Sequence, residues 1–406
     1  MKFRSLSSIS WAYGLQILNI LYPFAIYFIY TYHYSADNLY GIIAVANAII
    51  SMSLLLFDWG FMFDTPRKMQ IVDDYIIHLS IGVRTILLIP FYIIALSLSL
   101  TSVISLSPSH VTLLTITVFS SSLIPYWAFY TEMKYKQWFD VLVLNRGVLI
   151  LILLLLSAGI KQYLFAYIIA NIVSILYSHR YIRYNFRSLD INQVFWGSIR
   201  KLSENIFLVS GQVFSNMYIS GAPLLLGIFG VEYAQIGSYN ILEKMARGIR
   251  LLLSPIVKYI YPILNNTKTR GVSFNILYVK SLSGVIMISV ILTVLTLLLK
   301  DSIFGWLRIE EIVLLSNVFD LLSVLIVFGT ISQFVNLNGI VLFERDKQMT
   351  LVFVLAVFVY VIAFYISQRN FGLKLESAAI AALSSEIVIC LIGLGIVINE
   401  FVSKKH

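Results

Sequence analysis

Charge is scarce in this chain of 406 residues: Asp, Glu, Lys and Arg make up 12% of it, where an ordinary soluble domain carries about 25%. Cysteine is scarcer still. Cys390 stands alone in an apolar run, which excludes a disulfide framework and a cysteine-based metal site. The histidines (His33, His78, His110, His179 and His406) are scattered without the spacing that metal ligation requires. There is no Gly-rich phosphate loop, no nucleophile beside a base and no paired catalytic carboxylates, so the sequence predicts no enzyme, no catalytic residue, no metal and no organic cofactor.

What is present is apolar. Hydrophobic residues make up 59% of the chain, and the mean hydropathy is +0.87. This is the composition of an all-α polytopic membrane protein, because only closed hydrogen-bonding structures cross a bilayer and helices leave runs of about 20 apolar residues. Such runs fall near 9–30, 39–62, 77–99, 111–131, 141–160, 162–179, 206–229, 237–260, 279–299, 312–342, 349–368 and 377–400. About 12 transmembrane helices are therefore expected, the tenth long enough to require a tilt or kink. The first run lacks a small-residue cleavage site behind it and reads as a retained helix.

The net charge of +9 is explained by its placement rather than by nucleic-acid binding. One set of alternate loops holds nineteen Lys and Arg, the other only Lys161, Lys300, Arg308, Arg369 and Lys374. By the positive-inside rule both termini are cytoplasmic, with the short, cation-poor loops outside. The largest polar segment, 181–205, lies at the midpoint. It divides the chain into an N-terminal six-helix lobe, 1–180, a cytoplasmic hinge linker, 181–205, and a C-terminal six-helix lobe, 206–406. Weak echoes relate the halves: PFAIYFIYTYHYSADNLYGIIAVAN (23–47) with PLLLGIFGVEYAQIGSYNILE (223–243), and YTEMKYKQ (130–137) with LFERDKQ (342–348). Because each half contains an even number of helices, the repeats are parallel, and two such lobes around a central cavity suit a transporter.

Five cations lie inside apolar runs, where each costs roughly 2.5–3.5 kcal/mol at mid-bilayer. Lys244, Arg247 and Arg250 fall at roughly 0°, 300° and 240° on a helical wheel, with Lys258 near 320°, so they share one face. Two readings of this stripe stand. In the first, Glu243 pairs with Arg247 at i,i+4, Lys244 snorkels outward and Lys258 follows the positive-inside rule, which leaves Arg250 unexplained. In the second, the stripe lines a wet cavity and meets an anionic substrate. Arg84 and Arg146 lie some six to eight residues inside the third and fifth runs and are further candidates for substrate binding. Asp58, Asp320 and Glu386 are candidates for gating or for coupling to H+ or Na+, the alternative being structural ion pairs. The abundant Tyr and Phe fit interfacial belts.

WAYGLQILNILYPFAIYFIYTY, NLYGIIAVANAIISMSLLLFDWGFMFDTPRKM and GSYNILEKMARGIRLLLSPIVKYIYPIL resemble the first, second and eighth helices of bacterial O-antigen flippases. These belong to the multidrug/oligosaccharidyl-lipid/polysaccharide exporter superfamily. FGLKLESAAIAALSSEIVI is similar to their last helix, with Glu386 at the place of a frequent acid. The resemblance implies a multi-pass protein of the bacterial inner membrane that moves an undecaprenyl-diphosphate-linked oligosaccharide from the cytoplasmic to the outer leaflet by alternating access. It places Lys244, Arg247 and Arg250 in a cationic lumen, and it implies as partners the bilayer, the lipid-linked oligosaccharide, an O-antigen polymerase and a chain-length regulator. A cation-coupled drug antiporter of the same superfamily would instead want carboxylates as the dominant cavity charge. A polymerase acting on the same lipid-linked substrate would want a sizeable outer loop.

Overall fold

The computed structural model describes residues 6–68, 71–101, 107–182, 190–267, 272–307, 312–343, 345–372 and 374–403, and all its regular elements are helical. The chain forms two compact units. The first comprises residues 1–213 and 223–237, the second 214–222 and 238–406.

In chain order the first unit holds α1 (Leu6–Phe28), extended by a π-helical turn Ile29–His33, α2 (Asp37–Asp58), α3 (Phe61–Lys68), α4 (Asp74–Leu100) and α5 (Pro108–Leu123). It continues with α6 (Tyr126–Thr131), α7 (Tyr135–Leu155), α8 (Ile160–Ser178) and α9 (Ile191–Glu204). Then come α10 (Ile206–Ser220), α11 (Ala222–Ile228), α12 (Tyr233–Leu252) and α13 (Ser254–Thr267). The second unit continues with α14 (Val272–Leu298), α15 (Lys300–Leu307), α16 (Ile312–Val335) with a π-helical turn Asn336–Val341, α17 (Asp346–Phe371) and α18 (Lys374–Ser403).

Local chemistry sets the boundaries. Asp73 caps α4 by accepting the Ile76 amide at 2.9 Å, and Asp190 accepts the amides of Asn192 and Gln193 at the start of α9. Gly372, with φ of 65°, closes α17 in the left-handed conformation glycine adopts without a Cβ penalty. Pro125 has no N–H to donate and forces Ile124 into extended backbone, so the expected span 111–131 appears as α5 and α6.

Among the described residues ten helical stretches are long and apolar enough to cross a membrane. The chain is thus a multi-pass membrane protein, and its surface agrees. Ile89, Ile93, Leu151 and Leu155 in one unit, and Met287, Ile291, Leu295 and Leu298 in the other, are exposed large apolar side chains of the kind soluble proteins bury. The two expected spans outside the ten, 206–229 and 237–260, are interrupted. Pro223 lacks the N–H that would bond back to Ile219, and α10 ends at Ser220. Pro255 does the same to the carbonyl of Leu251, ending α12 at Leu252, and Glu243, Lys244, Arg247 and Arg250 lower the hydropathy of α12 itself.

Each unit has its own core. In the first, α5 packs on α4, α2 and α8, α8 on α7 and α7 on α1, around Phe61, Val83, Trp127, Phe129 and Val141. In the second, α18 packs on α16 and α17, and α14 on α16, around Val257, Tyr278, Phe334, Val335 and Val397. The segment read as a hinge linker contains α9, which lies against α4. Its Lys201 pairs with Asp64, and its Leu202 carbonyl accepts from Trp59 Nε1 at 3.0 Å.

The echoes seen in the sequence have physical counterparts. Asn38 Oδ1 accepts the Ala234 amide at 3.2 Å across 196 residues. Gly41 and Gly237, separated by the same interval, lie against each other, so that a Cβ on Gly237 would stand 3.3 Å from the Gly41 nitrogen. At the second echo, Lys134 reaches the carbonyl of Tyr181, just beyond α8, at 3.5 Å. Arg345 binds Glu400 near the end of α18 through Nε at 2.8 Å and Nη2 at 2.5 Å. Lys134, after α6, thus reaches just past the end of α8, and Arg345, before α17, binds near the end of α18.

Candidate functional site

Three carboxylates inside apolar helices each face an arginine of the same unit. On α12, one turn apart, Glu243 Oε1 accepts from Arg247 Nη2 at 2.8 Å and from Nε at 3.1 Å, with both side chains buried. Arg250 Nη1 donates to Glu386 Oε1 on α18 at 2.6 Å, and Ser332 on α16 donates to the other oxygen, Oε2. Arg250 fits here because Gly329 on α16 has no side chain; a Cβ there would stand 2.6 Å from Nη1. In the first unit Arg84 on α4 approaches Asp58 at 3.9 Å, donates to the Phe57 carbonyl and to Ser80, and sits 6.0 Å from the Phe61 ring centroid. Asp58 also accepts the Met62 amide at 3.0 Å.

The pairing of Glu243 with Arg247 is the first of the two readings of the stripe, and Glu386 explains Arg250, which that reading could not. Asp320 differs from the other acids. It is half exposed near one end of α16, where Lys300 reaches it at 2.6 Å. Its place in an apolar run suggested burial, but a lysine stem long enough to snorkel meets it at the surface.

Two deep cations are left without a carboxylate. Lys244 makes neither an ion pair nor a hydrogen bond to a described residue. Arg146, on α7, is held by aromatic groups alone. Its guanidinium carbon lies 3.8 Å from the Tyr22 ring centroid, Nη1 donates to Tyr167 Oη at 3.3 Å, and Nε is buried with no partner. A cation over an aromatic face is attracted by the ring quadrupole, and this replaces part of the lost hydration. Lys258, expected at the rim, is exposed on α13.

Arg146 opens on a cavity of about 370 Å³ within the first unit, lined also by Asp58, Arg84, Tyr126, Asn145, Tyr167 and Asn171. A buried amide network forms one wall. Asn145 Nδ2 donates to Asn171 Oδ1 at 3.1 Å, and Asn171 Nδ2 donates to Ser121 at 2.7 Å and Ser120 at 3.0 Å. Replacing Asn171 by leucine strands the Asn145 amide in this wall. The expected cost is about 1–3 kcal/mol, measurable as a lower thermal midpoint of the purified protein; an unchanged midpoint would show the network to be dispensable.

Of the predicted residues, the structure brings Arg84, Arg146 and Asp58 to one cavity in the first unit, and Arg247, Arg250 and Glu386 into ion pairs in the second. Sequence reasoning missed Tyr22, Tyr126, Tyr167, Asn145, Asn171 and Ser332. The tyrosines were indistinguishable from an interfacial belt, and no spacing along the chain marks the amides, which meet across 26 residues.

No protein-family model matches the sequence, and no curated protein does. Solved structures do match. An inward-facing multidrug resistance MATE family transporter of the MOP superfamily superposes with a TM-score of 0.65 at 14% identity, covering 100% of this chain and 96% of that one. An outward-facing structure of a MATE family transporter gives 0.54 at 15% identity, covering 98% and 95%. A MOP superfamily transporter from Pyrococcus furiosus, described as having a binding pocket of reverse polarity that suggests a different function, gives 0.53 at 14% identity, covering 98% and 95%. The chain has the fold of the MOP superfamily transporters over its whole length.

Proposed function

We propose that this protein is a flippase that moves an undecaprenyl-diphosphate-linked oligosaccharide from the cytoplasmic to the periplasmic leaflet of a bacterial inner membrane. The observation that carries this is the balance of deep charge. Asp58, Glu243 and Glu386 are each matched by an arginine, whereas Lys244 and Arg146 have no carboxylate. Within the apolar runs the unmatched charge is positive in both units, Glu376 lying outside them at the start of α18, and an anionic substrate supplies what is missing. A diphosphate or an acidic sugar meets this requirement, while an organic cation does not. That the pocket of a MOP neighbour has been described as reversed in polarity fits a superfamily in which cavity charge follows substrate charge. The drug-antiporter alternative requires an unmatched carboxylate, and the pairings disfavour it.

In this reading Lys244 and Arg146 contact the anion, and Arg84, Arg247 and Arg250 lend positive potential while anchored to their acids. The membrane potential favours outward movement of the anion by roughly 2.3 kcal/mol per charge per 100 mV. Asp58, Asp320 and Glu386 remain the candidates for H+ or Na+ coupling, and the polymerase and chain-length regulator are the proposed partners. The two six-helix lobes and the cytoplasmic termini belong to the same proposal.

The test is a gel of surface lipopolysaccharide from the native host with the gene deleted and then restored as wild type, Lys244→Gln or Arg146→Gln. Deletion is expected to remove every repeat unit. Each variant is expected to restore about tenfold less or worse, since a charge-assisted hydrogen bond contributes ~1.5–3 kcal/mol. A core bearing a single repeat would identify a polymerase instead, and an unchanged ladder would return the drug antiporter to first place.

A further inference from the structure

Helix α9 divides its surface into three sectors. Val194, Gly197, Ser198 and Lys201, at roughly 300°, 240°, 340° and 280° around the axis, face the first unit, and Leu202, at roughly 20°, packs on its core at the end of the helix. Ser198 Oγ lies 3.4 Å from the Leu79 carbonyl, and Lys201 pairs with Asp64. Ile191, Phe195 and Ile199, at roughly 0°, 40° and 80°, form an apolar stripe that the unit leaves uncovered; Ile191 is 80% exposed. Asn192, Gln193, Arg200, Ser203 and Glu204 fill the rest and are exposed. Trp196, 62% exposed, stands at roughly 140°, between Ser203 and Arg200 in the polar sector.

A helix with one face on protein, one exposed apolar face and one polar face fits a place where three media meet. We infer that α9 is an interfacial helix that docks on a bilayer surface carrying anionic lipid, with Ile191, Phe195 and Ile199 among the upper acyl chains. Charge selects the lipid class. Within 180–205 stand five cations, Arg180, Arg183, Arg187, Arg200 and Lys201, against two acids, Asp190 and Glu204. Lys201 and Arg200 already hold Asp64 and Glu204, and Arg180, Arg183 and Arg187 precede the helix in the sequence. Basic residues beside an amphipathic helix are drawn to anionic headgroups, and the apolar face then inserts. The docking bears on the transporter body because α9 is bolted to α4 and to the α2–α3 junction through Ser198, Lys201 and the Trp59 bond.

The inference is independent of which substrate is carried. It is tested on the full-length chain in a Cys390→Ala background, with spin labels on single cysteines at Phe195→Cys, Ile199→Cys, Gln193→Cys and Ser203→Cys. All four positions are exposed, so labelling leaves the core intact. The protein is reconstituted in phosphatidylcholine vesicles with and without phosphatidylglycerol, and collision with oxygen is compared with collision with a water-soluble nickel chelate. Labels at 195 and 199 are expected to favour oxygen severalfold over labels at 193 and 203, more so with phosphatidylglycerol. Equal ratios at all four sites would place the helix in water and overturn the inference. So would shielding of 195 and 199 from both reagents, which would mean a protein cover. No response to phosphatidylglycerol would overturn the anionic selectivity.

Discussion

Glu386→Gln is expected to destabilise the protein by about 3–5 kcal/mol, the cost of breaking a buried ion pair from one side. The carboxylate is fully buried and shared. One oxygen receives Arg250 at 2.6 Å, the other receives Ser332. A glutamine keeps the shape and, with the serine hydroxyl rotated, both hydrogen bonds. It does not keep the charge, and the guanidinium of Arg250, whose Nε is already unpartnered, is left in a low-dielectric interior. Replacing both members by apolar residues, Arg250→Met with Glu386→Leu, is expected to recover most of the loss, because the two desolvation costs vanish together. The corresponding cycle on Lys300 and Asp320 is expected to give less, about 1 kcal/mol, since the Asp320 side chain is half exposed. Thermal unfolding of the purified variants measures both cycles. A coupling energy near zero for Arg250 and Glu386 would mean that the pair is not what makes this cation tolerable.

If the proposed function holds, the same pair makes Lys244 and Arg146 better probes of it than Arg250. Any loss of the proposed transport in an Arg250 variant would mix lost charge with lost packing of α12 against α18. Lys244 has no partner to strand, and Arg146 has only aromatic ones.

What the sequence disclosed about these charges follows contact distance. The bond between Glu243 and Arg247 was legible as one reading because four residues on a helix are one turn, and geometry alone brings them together. The bond between Arg250 and Glu386 spans 136 residues; only the packing of α12 and α18 creates it, so Arg250 looked like an unsatisfied cation when read along the chain. Helix positions were legible because a bilayer imposes length and hydropathy on each span. The interruptions at Pro223 and Pro255 were less so, because proline in a membrane helix either kinks or ends it according to whether neighbours satisfy the freed carbonyl. Likewise 181–205 read as a polar linker by average composition, and its helix shows itself only through the period of Ile191, Phe195 and Ile199. The cavity around Arg146 was beyond reach, since its walls come from all seven helices from α2 to α8.

Gly41→Ala is expected to be strongly destabilising. Gly41 lies in the first turns of α2, where an added Cβ would stand 1.7 Å from the carbonyl oxygen of Tyr233, 2.4 Å from its carbon and 2.8 Å from its Cα. All three are backbone atoms at the start of α12, so no rotamer change relieves the overlap; the two helix starts must move apart. Separation would also break the bond from the Ala234 amide to Asn38 and disturb Tyr40, which packs edge-on to Tyr27 at 5.1 Å. The expected cost is about 3 kcal/mol or more, the upper range for overpacking. Gly237→Ala is the control. Its Cβ would first meet Tyr40 Cδ1 at 2.9 Å, a side chain that can yield, and the cost is expected to be about 1 kcal/mol. A cysteine pair, Asn38→Cys with Ala234→Cys in a Cys390→Ser background, reports on the separation directly. Oxidation is expected to cross-link it efficiently with Gly41 present and poorly with Gly41→Ala. Equal cross-linking and equal thermal midpoints in the two would show that α2 and α12 tolerate a side chain between them. The close approach of the echoed glycines would then be incidental to the packing of the first unit.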